Sequence, residues 1–256
     1  MKEKKCNLNL VLYEIRNISG NFFVHFFGIV FPILMSLILT KSVGSQVPEA
    51  IRPEVVTSIV ISMSLVCPMA IILIGYPANY SQEVEKGVPL RMRLFGYREK
   101  SVILAKVIAQ LVFLTAALGI FGIAEVILID MQKPALSSLL CLIGCLYLLA
   151  VIFFILSHAI ANILKKFGPT FAVSMTLYFL IMIVCGMMGV STEQLPRALQ
   201  VVADTLPMTY ICNDFIDFWQ GGSYNFVPLI QSFLFLGAVS GILLLFASYK
   251  NRRAIG

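Results

Sequence analysis

The sequence predicts an all-α membrane protein of six transmembrane helices, and three observations carry that prediction. Of its 256 residues, 59% are hydrophobic and 12% charged, whereas a soluble domain has about a quarter of its residues charged. Mean hydropathy is +0.92, so polar groups could not cover the surface of such a chain in water. Six intervals are free of Asp, Glu, Lys and Arg: 17–40, 55–82, 107–124, 134–164, 167–192 and 218–249. Each supplies the roughly 20 residues that a helix needs to cross the hydrocarbon, the third by extending to Ser101 and Ile129. None alternates as barrel strands would. The third observation is charge placement. With the N-terminus inside, 15 of the 19 Lys and Arg fall on the cytoplasmic side, leaving Lys41, Arg52, Lys133 and Arg197 outside. That bias orients a protein in a bilayer and puts both termini in the cytoplasm. It also accounts for the net charge of +6 without a nucleic-acid partner. One bundle of this size uses residues 1–256 as a single domain.

Residues 7–20 place Val11, Ile15, Ile18 and then Phe22 at helical spacing, with Glu14, Arg16 and Asn17 on other faces. An N-terminal interfacial helix is expected there. Lys2, Lys4 and Lys5 precede a mixed stretch with no cleavage pattern after it, so a removable leader is not expected. Span one, near 20–40, holds His25, read as packed or interfacial, and Pro32, expected to kink it. Span two, near 54–78, carries Ser58 and Ser62 four residues apart. Hydroxyls at this spacing serve close helix packing or line a substrate path, and both readings stand. Pro68 and Pro77 mark a bend and an exit.

Residues 79–100 are the longest highly charged stretch between two apolar spans, with Lys86, Arg91, Arg93, Arg98 and Lys100 against Glu83, Glu85 and Glu99. Span three, near 101–129, contains Glu125, and a carboxylate in lipid is a functional candidate. Its closeness to Asp130 puts it near the outer interface, where snorkelling or a partner on another helix accommodates it. Span four, 135–164, is about 45 Å long if straight and contains His158. Phe167-Gly168-Pro169 breaks the chain before span five, near 170–190. Thr170, Ser174 and Tyr178 share one face of span five, again a packing or pathway-lining stripe. Between 191 and 225, Leu195, Leu199, Val202 and Leu206 recur at helical spacing, as do Ile211, Phe215 and Phe218, with Pro207 between the sets. An external helical hairpin is expected, with Trp219 and Tyr224 at headgroup level. Span six, near 226–247, carries Gly237 and Gly241 four apart, a common helix-contact signal.

The sequence lacks the phosphate loop G-x-x-x-x-G-K-S/T, H-E-x-x-H and G-x-S-x-G. The six cysteines, at 6, 67, 141, 145, 185 and 212, form no C-x-x-C pair, so neither a disulfide framework nor a metal site is expected. Ion-driven carriers commonly need ionisable groups near the midplane, and Glu125 is the one candidate. The chain is therefore not expected to be an enzyme, and its energy is expected from a separate protein.

Glu83-x-Glu85-Lys86-Gly87, followed by Arg91 and Arg93, and Leu206-Pro207-x-x-Tyr210 are two local signatures. With the span pattern, they make the chain resemble, over nearly its full length, the membrane subunit of ABC-2 type exporters. Val88 stands where that family often has Thr, and Phe95-Gly96 where it often has Pro, which leaves the subfamily open. The resemblance implies two permeases, identical or related, bound to two cytosolic ATPase subunits that carry ATP and Mg, with no cofactor on this chain. It implies a coupling helix in the cytoplasm formed by Glu83, Val84, Glu85, Lys86, Gly87, Val88, Leu90, Arg91 and Arg93. Val84, Val88 and Leu90 would dock in an ATPase groove, while the charges fix register. It further implies a multi-pass cell-membrane exporter of an amphipathic or lipophilic compound, such as a drug or antimicrobial peptide. A non-transporting scaffold or sensor subunit and an ion-coupled carrier are the alternatives.

Overall fold

The computed structural model describes residues 5–44, 46–189 and 192–253, so Lys2 and Lys4 of the basic leader lie outside the described residues. Six helices are long and apolar enough to cross a membrane: span one Phe22–Val43, span two Arg52–Glu85, span three Glu99–Leu128, span four Leu136–Leu164, span five Phe167–Val184 and span six Phe226–Asn251. Shorter helices cover Leu8–Ser19, Val88–Leu94, Arg197–Ala203, Pro207–Asn213 and Phe215–Trp219. The described residues contain no strand.

Span two is the axis of the bundle. Its most apolar window is 89% buried, against 22% to 44% for the other five, and Cys67, Met69, Ile71 and Leu73 are wholly enclosed. Span one lies tightly against it. A Cβ at Gly28 would stand 2.7 Å from Cγ1 of Ile71, and one at Gly75 would overlap Cγ2 of Val24. Only glycine permits this approach. Both glycines fall in widened, π-helical stretches, Phe26–Val30 and Met69–Gly75.

These wide turns correct the expectation that Pro77 ends span two. Its helix continues to Glu85. A proline ring clashes with the turn before it in a regular α-helix; here that turn is widened, and Tyr76 N–H reaches back to the Ile71 carbonyl instead. Pro32 likewise follows the wide turn of span one, where a local bend is accommodated.

The break before span five also falls earlier than expected. Lys165 adopts a left-handed conformation, φ 56°, that caps span four. Span five starts at Phe167, with Pro169 in its first turn, where a missing N–H is tolerated. Gly186 and Gly189, at φ 80° and 79°, unwind the chain after Val184. Among the described residues, the segment before span six forms a 3-10 turn at Thr192–Gln194 and three short α-helices rather than two, with a further break at Asp214. Trp219, expected to face the headgroups, is buried in the protein, and its Nε1 donates to the Gln132 carbonyl, in the loop between spans three and four, at 3.1 Å.

Candidate functional site

The face of the bundle that carries the N-terminal helix holds an ion triad. Lys106, in span three, donates to Glu14 Oε2 at 2.7 Å and to Glu83 Oε2 at 2.8 Å. All three side chains are nearly enclosed, at 4%, 3% and 9% exposure respectively. Glu83 also accepts from Asn17 Nδ2 at 2.5 Å. The triad thus ties together the N-terminal helix, the end of span two and the start of span three. Burial pushes the Glu14 carboxyl above its ordinary range; the Lys106 ammonium pulls it down and Glu83 pushes it up.

The triad corrects the sequence reading of Glu14, which was expected on a polar face. The signal is in the spacing: Glu14 stands three residues after Val11 and four before Ile18, on the apolar face. Lys106 reads as part of the basic flank, yet it is enclosed inside span three. Two buried carboxylates need such a cation, since an unpaired buried charge costs several kcal/mol.

The residues between spans two and three separate into two groups. Glu83, Val84 and Glu85 belong to the end of span two. Glu85 accepts from the Phe167 backbone N–H at 3.1 Å, a carboxylate at the N-terminus of span five, where it is favoured. Val84 packs into the main core. Gly87, at φ 68°, then turns the chain, so the expected single helix over 83–93 does not form. Only Val88–Leu94 makes the separate helix, followed by a second turn at Gly96, φ 86°. Met92 and Tyr97 pack against Leu10, Val11 and Ala105. Leu94 and Phe95 point away, at 69% and 65% exposure, while Leu90, 63% exposed, also borders the cavity beneath the helix. Lys86, Arg91 and Arg93 are exposed as well, with Arg91 Nη2 donating to the Lys86 carbonyl. Beneath the helix, Tyr13, Val88, Met92 and the triad carboxylates line a cavity of about 280 Å³.

The sequence profile of the ABC-2 type transporter matches residues 8–217. The chain belongs to the ABC-2 type transporter family. It is a multi-pass membrane transporter permease, and ABC-2 membrane domains in general work with an ATPase subunit. No curated protein and no solved structure matches the chain.

In this ABC-2 permease the two candidate pathway stripes sit differently. Ser58 and Ser62 line a cavity of about 570 Å³ with Leu39, Met187 and Ile216, on the half away from the triad. Ser58 Oγ donates to the Cys212 carbonyl at 3.3 Å and Ser62 Oγ to the Ser58 carbonyl at 2.9 Å. Thr170, Ser174 and Tyr178 are fully enclosed, and span five packs against span two. Tyr178 meets the Phe27 ring edge-on at 6.2 Å. Their hydroxyls have no hydrogen-bond partner.

The remaining ionisable candidates have partners. His25 Nε2 lies 2.8 Å from the Ser19 carbonyl. His158 Nδ1 lies 2.7 Å from the Tyr76 hydroxyl, against the Phe154 and Tyr80 rings. Glu125 does not snorkel: it is 1% exposed and accepts from Ser36 Oγ of span one at 2.9 Å. Among the described residues no group of three or more His, Cys, Asp and Glu is placed to hold a metal ion.

Proposed function

We propose that this permease is the membrane half of an ATP-binding-cassette exporter. It carries an amphipathic or lipophilic compound, such as a drug or antimicrobial peptide, out of the cell across the cell membrane. A second permease, the same chain or a related one, completes the pair, and separate cytosolic ATPase subunits supply the energy. Both termini and the helix Val88–Leu94 face the cytoplasm. The observation that carries this reading is that helix itself. It stands between two glycine turns, offers Leu90, Leu94 and Phe95 outward, and rests on a cluster shared with the N-terminal helix and span three.

In this reading the ATPase receives Leu90, Leu94 and Phe95 in an apolar groove, with Lys86, Arg91 and Arg93 fixing register. Glu83 and Val84 are turned inward and transmit; Glu85, exposed beside Lys86, is open to the ATPase and also holds the start of span five. A push on Val88–Leu94 reaches span three through Met92 and Ala105, span two through Gly87 and the triad, and span five through Glu85. Coupled movement of packed elements is how such interfaces switch. The Ser58–Ser62 cavity is the substrate's exit side. Thr170, Ser174 and Tyr178 join the path when span five separates from span two.

The test is the double variant Leu94→Asp with Phe95→Asp, which alters no buried residue and no residue that lines the cavity beneath the helix. Pull-down of the wild-type chain from native membranes should bring a phosphate-loop ATPase identified by mass spectrometry. The variant should insert and melt normally yet lose that ATPase. Retention of the ATPase would overturn the assignment of this helix.

A further inference from the structure

A second cavity, of about 670 Å³, lies between spans two, three and four on the half away from the triad. That volume falls within the roughly 300–1,000 Å³ of sites that bury drug-sized ligands. Its wall is almost wholly apolar, with Val60, Phe121, Leu142 and Leu146 deep and Trp219 at the end near the loop between spans three and four. Ile123 and Val126 form part of the wall and are 65% and 72% exposed, so the cavity opens sideways, toward lipid. Into this setting the fold places one charged side-chain type, the carboxylate of Glu125; no Lys or Arg lines the cavity. Ser36 holds Oε2, while Oε1 is buried with no hydrogen-bond partner.

From these observations we infer that the cavity is a lateral binding site for a single-chain cationic amphiphile, whose protonated amine meets Glu125 and whose chain lies between spans three and four. Charge complementarity selects the head. A carboxylate with an unsatisfied oxygen in an apolar wall is costly alone, and a bound ammonium supplies both the missing donor and the missing charge. The length of the wall selects the body. Thr115 and Glu125 both line the cavity, and ten residues of helix span about 15 Å. That is the reach of an extended chain of about a dozen carbons. The site is separate from the Ser58–Ser62 cavity and holds whether or not an ATPase drives this chain.

Trp219, the only tryptophan in the sequence, lies at the head's end of the cavity. Tyr147 lines it beside Thr115, where the tail ends. Tyr147→Trp in a Trp219→Phe background therefore gives a single fluorophore that reports occupancy, and the variants below are made in it. The full chain in phosphatidylcholine nanodiscs is titrated with 11-bromoundecylamine, and in parallel with 11-bromoundecanol, which has the same chain and no charge. Saturable quenching by the amine is expected, with the alcohol weaker by about tenfold. Glu125→Gln should weaken the amine by a similar factor and leave the alcohol unchanged. Gly119→Leu should abolish quenching by both, because its side chain fills the cavity and a Cβ there meets nothing within 4 Å. Equal affinity for amine and alcohol would mean an apolar groove that any lipid tail enters, and would overturn the proposal. So would an unchanged amine affinity in a Glu125→Gln protein that melts like its parent. The comparison of amine and alcohol in the parent decides by itself if that variant fails to fold.

Discussion

Replacing Lys106 with Met removes the one cation from a site that holds two carboxylates. Its contacts to Glu14 and Glu83, at 2.7 and 2.8 Å, each amount to about 6 kcal/mol of gross attraction at an effective dielectric near 20. Desolvation offsets much of that, and removing one partner of a buried pair costs about 3–5 kcal/mol net. Glu14→Gln is different, because Glu83 and Lys106 remain a neutral pair; its cost should be near 1 kcal/mol, about one hydrogen bond. The triple variant Glu14→Gln, Glu83→Gln, Lys106→Met leaves no charge and should recover part of the loss. The buried thiols of Cys67, Cys145 and Cys185 provide the readout: a thiol-reactive fluorophore labels them only as the detergent-solubilised protein unfolds. The midpoint should fall in the order wild type, Glu14→Gln, Lys106→Met. A Lys106→Met protein that melts at or above the Glu14→Gln midpoint would refute Lys106 as the cation that holds the two carboxylates together.

The same carboxylate sets a pH dependence. Because burial raises the Glu14 pKa above its ordinary 4.5, the folded state holds that proton more tightly than the unfolded one; the stability it contributes is full below 4.5 and is lost as pH rises through the raised value. The melting midpoint of Glu14→Gln should therefore fall less than that of wild type between about pH 4 and pH 8. At the crossing of spans one and two, Gly75→Ala drives a methyl into Val24 and should lower stability by about 1–3 kcal/mol. Gly144→Ala, mid-helix in span four where a Cβ meets nothing within 4 Å, should hold or raise the same thiol-labelling midpoint.

The spans were legible because lipid imposes a simple rule: a long run without charges is a crossing, and Lys and Arg mark its ends. Tertiary context moved the boundaries. Nothing local distinguishes Pro77 as a stop from Pro77 after a wide turn, since the wide turn is fixed by the packing of Gly75 against Val24. The triad was half legible. Helical spacing puts Glu14 on the buried face, but its partner is far along the chain, and Lys106 looks like any basic flank. The charges at Glu83 and Glu85 were visible in the sequence, while their partners, Lys106 and the Phe167 N–H, were not. Helix periodicity does not say that span two continues past the bilayer-length run and carries them into contact with spans three and five.

The widened turn at Met69–Gly75 has a geometric consequence for everything beyond it. A π-helical turn accommodates one residue more than the α turn it replaces, and each residue of α-helix advances the side-chain direction by about 100°. Tyr76, Asn79 and Glu83 therefore owe their bearings to that one surplus residue. Tyr76 meets His158, Asn79 accepts from Asn21 at 2.7 Å, and Glu83 meets Lys106. Deleting a single residue between Met69 and Gly75 would leave Arg52–Ser64 where it stands and swing Tyr76–Glu85 by more than a quarter turn. The surplus residue is thus an angular setting, and it decides which side chains the far end of span two offers to its neighbours.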